Sequence, residues 1–171
     1  NNYLGLTTHP KVREAAREAI TQYGTSMTGS RFLNGTLKIH HALEEKMATF
    51  LGKPACAVFT TGYQANLGVL SALLNEKAVA IVDRCAHASI HDGCNLGAGR
   101  EIKFQHNDAA DLDRVLQDVS PELGRILMID GIYSMEGDAA DLAKLLPIAK
   151  KYQCRVALDD AHGFGVMGPG G

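Results

Sequence analysis

The sequence predicts an α/β fold, a mainly parallel sheet flanked by helices and forming part of a larger sheet domain. Three features carry this. Short apolar runs alternate with stretches of helical spacing along most of the chain, as in Val79–Val82 followed by Ser89–Leu96. The runs are nearly all apolar rather than alternating, which is the pattern of strands covered on both faces. Polar, glycine-containing connections follow the runs, where open α/β sheets bind their ligands.

In chain order, Pro10 at a first-turn position and Gly24 at the end bracket a helix carrying Val12, Ala15, Ala16, Ala19 and Ile20 on one side. A Gly/Ser/Thr loop with an arginine spans 25–35. Ile39, Leu43, Met47 and Phe50 then mark a second helix, with Gly52 as its stop. The β/α alternation follows. Strands are expected at Ala55–Thr60, Val79–Val82, Glu101–Phe104, Ile126–Ile129 and Arg155–Leu158, and helices at Gln64–Leu74, Ser89–Leu96, Leu112–Val119 and Leu142–Tyr152. Two regions are expected: 1–35, a helix and glycine-rich loop, and 36–171, part of a sheet domain. The chain opens without methionine and stops in a Gly/Pro loop, and it is read as a piece of a longer one.

With 46% hydrophobic and 21% charged residues the composition is that of a globular domain and excludes disorder. A net charge of −2 gives no footing for nucleic acid or a membrane surface, and no apolar run is long enough to span a bilayer. Cys56, Cys85, Cys94 and Cys154 form no CxxC pair and read as reduced thiols of a cytoplasmic protein.

Four strand ends carry candidate chemistry. Thr60–Asn66 (TTGYQAN) is either an ordinary turn or a helix start whose free amides suit a phosphate; it is neither a P-loop nor GxGxxG. His87 and His91 stand i, i+4, open to a metal reading with Asp159, although the glutamate of HExxH is absent. Asp130–Asp138 offers the Ser134 hydroxyl and several carboxylates that are solvated or cap the next helix. The last is ALDDAHGFG, in which an apolar run stops at Asp159 and Asp160 with His162 close behind. A carboxylate buried at a strand end is costly unless a cation compensates it. A protonated pyridine nitrogen does so. At about 3 Å and an effective dielectric near 20 the attraction is on the order of 5 kcal/mol before desolvation. Asp160 is read as structural.

NNYLGL, TGSRFLNGT, TTGYQANLG, HASIHDG, HND, DGIYSMEGD and DDAHGFGVMG, in that order along the whole chain, resemble the α-oxoamine synthases, a pyridoxal-phosphate family with the fold-type I aminotransferase architecture. The resemblance implies that Gly62 and Tyr63 hold the cofactor phosphate with backbone amides. It implies that His87 stacks on the pyridine ring and bonds the substrate carboxylate. Asp159 pairs with the ring nitrogen, and His162 bonds the ring 3′-oxygen with Ser134 nearby. Asn2 touches the amino-acid carboxylate and Ser30 lines the acyl-CoA side. The implied activity is decarboxylative condensation of an amino acid, serine favoured, with a long-chain acyl-CoA. Alanine with a pimeloyl thioester is the alternative, and a non-catalytic scaffold subunit is the rival of another class. The resemblance also implies a homodimer with active sites at its interface, membrane association only through a lipid product, and no metal. It places the Schiff-base lysine downstream of the DDAH segment, beyond Gly171, so the chain as given is not expected to catalyse the reaction alone.

Overall fold

A computed structural model describes residues 1–170. By its internal contacts the chain divides into two compact units, Asn1–Val58 and Phe59 onward; the border expected from the sequence lay at 35/36.

In the first unit, α1 (Pro10–Tyr23) begins with Pro at its first position and ends at Gly24, whose amide caps the Ile20 carbonyl. The side of α1 expected to be apolar is open, with Val12 46% and Ile20 54% exposed. In α2 (Lys38–Phe50) only Ala48 is buried. The loop between them is tied down by one side chain: the Arg31 guanidinium donates to Glu44 Oε1 at 2.8 Å and to Thr36 Oγ1 at 3.2 Å. The arginine hydrogen bond, with the Val58 amide, holds the Glu44 carboxyl below its ordinary range.

The segment Ala55–Thr60 is not a strand, contrary to expectation. It reads as one because it is apolar, but at Val58 the backbone groups bond side chains instead of a neighbouring strand. The Val58 amide donates to Glu44 Oε1 and its carbonyl accepts from Arg31. Apolar content reports burial tendency, not pairing.

The second unit holds α3 (Gly62–Leu73), β1 (Ala78–Asp83), α4 (Ala88–Leu96), β2 (Arg100–Phe104), α5 (Ala109–Gln117), β3 (Gly124–Asp130), the short β4 (Ile132–Tyr133) and β5 (Asp138–Ala139), α6 (Leu142–Lys151) and β6 (Arg155–Asp159). The sheet order is β2-β1-β3-β6 and every pair is parallel. Alternate residues of β1 and β3 serve the two faces. Val79, Ile81, Leu127 and Ile129 pack with Leu112 and Leu116 of α5 and Leu145 of α6. Ala80, Val82 and Met128 pack with Leu70 of α3 and Ile90 and Cys94 of α4. Every residue of β1 is buried. The edge strand β6 departs from the expectation of two covered faces: Val156 is 42% and Leu158 44% exposed.

The HND motif is a structural clasp. His106 Nδ1 bonds Asp83 Oδ1 at 2.9 Å and its Nε2 bonds Asp138 Oδ2 at 3.1 Å, joining the end of β1 to β5. Asn107, at φ 53°, donates to the Ala139 carbonyl and accepts the Asp141 amide. Asp108 caps α5 by accepting the amides of Ala110 and Asp111. Burial opposes a charge on His106, but its hydrogen bonds to Asp83 and Asp138 outweigh that and raise its pKa. A raised pKa means that the folded state holds this proton more tightly. The contribution is therefore complete below the unfolded imidazole value of about 6.5 and fades as pH climbs through the higher folded one. His106→Gln is expected to cost about 2–3 kcal/mol at pH 6 and less at pH 9, read from denaturant midpoints at the two pH values; an equal cost at both would show that charge plays no part.

Candidate active site

Strands β1, β3 and β6 all end in aspartate, and their parallel register brings Asp130 and Asp159 level as Cα partners. A cavity of about 110 Å³ opens beyond these ends, lined by Gly62, Tyr63, Asn66, His87, Ser89, Asp130, Asp159, Ala161 and His162. Burial, and then the neighbouring Asp159, push the Asp130 carboxyl up to about 6. This end of the sheet is therefore rich in negative charge, which favours a cationic partner.

The start of α3 also lines the cavity. Thr61 caps it, its hydroxyl accepting the Gln64 amide at 3.0 Å. Gly62 and Tyr63 occupy the first two helical positions, whose amides have no acceptor within the helix and sit at its positive end. A Cβ placed on Gly62 meets nothing within 4 Å, so the backbone borders open space there. The Tyr63 hydroxyl bonds the Asp92 carboxylate, which raises the tyrosine pKa, and its ring meets His87 edge-on at 6.2 Å.

Each remaining side chain is placed by a specific contact. His87 is the N-cap of α4: its Nδ1 accepts the Ser89 amide at 3.2 Å, and its own amide donates to Asp130 Oδ2 at 3.2 Å. The Asp159 carboxylate accepts from Asn66 Nδ2 at 2.8 Å and from the Ala161 amide at 3.2 Å. Asn66 is held in turn by the close crossing of α3 and α4, where a Cβ on Gly93 would lie 2.9 Å from the Asn66 carbonyl oxygen. Asp160 fits between Gly131 and Gly163, where a Cβ on either glycine would come within 2.3 Å of its Oδ1. That is the structural role expected of it.

Of the residues singled out in the sequence, the structure gathers Gly62, Tyr63, His87, Asp159 and His162 around one cavity. Ser134 is not among its lining residues; it is exposed in the turn between β4 and β5. Asn2 and Ser30 lie in the first unit, where Asn2 Oδ1 accepts the Thr7 amide and the Ser30 carbonyl accepts three amides of its own loop, from Leu33, Asn34 and Gly35. The metal set His87, His91 and Asp159 is not assembled: His91 turns to Glu101, with Nδ1 at 2.6 Å from Oε1. Asp83, Cys85 and His106 do converge, but both imidazole nitrogens there already bond carboxylates. Sequence reasoning missed Asn66, Ser89 and Asp130. Asn66 had a signal, since it lies one helical turn beyond Gly62 on the same face.

The cavity brings together helix-start amides, which suit an anion, and an oriented carboxylate, which suits a cation. That pairing on a parallel sheet defines an aminotransferase-type α/β protein. The family model described as "Aminotransferase class I and II" matches residues 1–170, and the chain belongs to that family. It is 50% identical over 172 residues to a serine palmitoyltransferase of Bacteriovorax stolpii, an alignment covering 100% of this chain and 41% of that protein. It is 45% identical over 172 residues to the 8-amino-7-oxononanoate synthase of Geobacter sulfurreducens, covering 100% of this chain and 44% of that protein. Among solved structures, a serine palmitoyltransferase from S. paucimobilis with bound PLP–myriocin superposes with a TM-score of 0.95 at 40% identity, over 98% of this chain and 42% of that one. The chain thus spans less than half the length of these relatives. Among the described residues, no helix is long and apolar enough to cross a membrane.

Proposed function

We propose that the full-length protein is a pyridoxal-phosphate-dependent α-oxoamine synthase that condenses serine with a long-chain acyl-CoA. The amino-acid α-carbon gives up its proton and forms a C–C bond to the acyl carbon while the thioester C–S bond breaks and CoA leaves as the thiol; the bond from the α-carbon to its carboxylate then breaks, carbon dioxide leaves, and a proton takes its place to give the 3-ketone. The observation that carries the reading is the Asp159 carboxylate, fixed by Asn66 at 2.8 Å and lining the same cavity as the start of α3. When bound, pyridoxal phosphate supplies the electron sink for negative charge at the substrate α-carbon.

The residues of this chain prepare that chemistry. The Gly62 and Tyr63 amides bind the phosphate dianion at the positive end of α3. Asp159 would hold a proton on the ring nitrogen, and His162, which lines the same cavity, would bond the ring 3′-oxygen. His87 would stack on the ring and orient the substrate carboxylate. Ser134, Asn2 and Ser30 complete the site in this reading, the last two toward the substrates. The glycine-rich loop of 1–35 serves as the substrate-side element. A homodimer fits the exposed apolar side of α1 and α2, where Ile20 is 54% and Phe50 59% exposed. Cysteines without disulfide partners fit the cytoplasm.

The serine and long-chain assignment leans on the higher identity to the serine palmitoyltransferase, 50% against 45%. A matrix of serine, alanine and glycine against long-chain and pimeloyl-CoA on the full-length protein, scoring released CoA, tests it. Serine with a long-chain thioester is expected to be the best pair. Alanine with pimeloyl-CoA as the best pair would transfer the assignment to 8-amino-7-oxononanoate synthesis. A protein that shows no borohydride-sensitive yellow chromophore would point to the scaffold reading.

A further inference from the structure

We propose that Asn66 and Ser89 are positioning residues that join Asp159 to His87 and fix the tautomer of His87, so that its Nε2–H faces the cavity. The consequences for cofactor binding rest on the function proposed above; the tautomer does not.

The argument follows the hydrogens. Asn66 Nδ2 lies 2.8 Å from Asp159 Oδ2 and 2.9 Å from Ser89 Oγ. The side chain cannot be turned over, because its carbonyl oxygen would then oppose a carboxylate oxygen, acceptor against acceptor. Both amide hydrogens are therefore spent, one on Asp159 and one on Ser89. Ser89 is 1% exposed, so its hydroxyl must find its partners among protein groups. Having accepted from Asn66, it has one hydrogen left, and His87 Nδ1 stands 2.7 Å away. That nitrogen already accepts the Ser89 backbone amide at 3.2 Å, an N-cap bond that requires a bare lone pair. Nδ1 is thus an acceptor twice over. The proton of neutral His87 lies on Nε2, on the side that can donate to a bound anion.

The network also explains why a neutral amide stands beside Asp159. A donor with no charge of its own holds the carboxylate in place without cancelling the charge that the ring nitrogen needs. The His87 amide, donated to Asp130, anchors the other end of the chain to β3. Four elements far apart in sequence are linked in this way, and the Asn66–Asp159 bond spans 93 residues.

Two measurements on the full-length protein test this. With ¹⁵N-histidine labelling and His87→Gln as the assignment control, His87 is expected to show a pyridine-type shift at Nδ1 and a pyrrole-type shift at Nε2. A protonated Nδ1 in the neutral ring would overturn the tautomer, whether or not a cofactor binds. The second measurement is the pyridoxal phosphate dissociation constant of Asn66→Leu, which keeps similar bulk and removes both donors. It is expected to rise about 10–100-fold, the loss of a hydrogen bond to a charged group. The pH midpoint of the bound chromophore's absorbance is expected to shift with it, which a purely structural defect would not produce; Ser89→Ala is expected to show a smaller change of the same sign. Wild-type protein that binds no pyridoxal phosphate would sink the proposed function and leave the tautomer to the first measurement. Wild type that binds, with Asn66→Leu binding equally well at an unchanged midpoint, would sink the Asn66 role alone.

Discussion

Asp159→Ala in the full-length protein is expected to lower kcat by about a thousandfold or more while leaving part of the pyridoxal phosphate affinity. The proposed pairing sets a carboxylate against a protonated ring nitrogen at hydrogen-bond distance. At an effective dielectric near 20 such a pair is worth on the order of 5 kcal/mol before desolvation, and about four-fifths of that, roughly 4 kcal/mol, accounts for a factor near a thousand. The truncation acts twice, because it also strips Asn66 Nδ2 of its acceptor at 2.8 Å. The Gly62 and Tyr63 amides proposed for the phosphate lie at the start of α3, one turn before Asn66, where Thr61 caps the helix independently of Asp159. Cofactor binding is thus predicted to weaken far less than turnover. Steady-state rates and a binding titration on the same preparation separate the two quantities. Turnover equal to wild type would remove Asp159 from the ring nitrogen and with it the carrying observation of the proposed function.

A large stability effect is predicted away from the site, at Gly99, between α4 and β2. A Cβ there would lie 2.5 Å from the Ala78 carbonyl oxygen and 2.8 Å from that of Asn75. Both obstacles are backbone, one of them at the first residue of β1, so no rotamer change relieves the overlap. Gly99→Ala is expected to destabilise by about 3 kcal/mol or more, the upper range for forcing extra volume into a packed region. Gly124→Ala is the control, because a Cβ there meets the Lys77 carbonyl oxygen at 3.6 Å and the Ala78 Cβ at 3.8 Å, ordinary contacts. It is expected to fall within about 1 kcal/mol of wild type. Guanidinium midpoints of the two variants decide it: equal midpoints would mean that the chain between α4 and β2 yields.

Apolar runs form strands where a parallel partner lies beside them, whether buried as in β1 and β3 or half open as in β6. Val79–Val82 and Ile126–Ile129 are apolar because helices cover both faces of β1 and β3. Ala55–Thr60 looked the same in sequence and is no strand; at Val58 the backbone groups bond Glu44 and Arg31 instead. The apolar side of α1 was visible by spacing, yet spacing says nothing about what covers a face, and this one is open. Capping is a local signal that the expected helix start at Leu112 passed over, since α5 begins at Ala109. Asp108 and Asp141 sit where the helices begin because a short acceptor side chain there reaches the first free amides.

By itself the sequence determined the α/β class, the order of most elements, and the rule that chemistry sits just past strand ends. That rule marked the segments carrying His87, Asp159 and His162, and the resemblance to the α-oxoamine synthases singled out these residues together with Gly62 and Tyr63. Only the tertiary structure decided that these meet around one cavity, that Ser134 stays outside its lining, and that Asn66, Ser89 and Asp130 connect the rest. The physical reason is range. Helix starts, caps and strand ends are fixed by residues a few positions apart, whereas a hydrogen bond between Asn66 and Asp159 exists only because parallel pairing brings distant segments of the chain to the same end of the sheet.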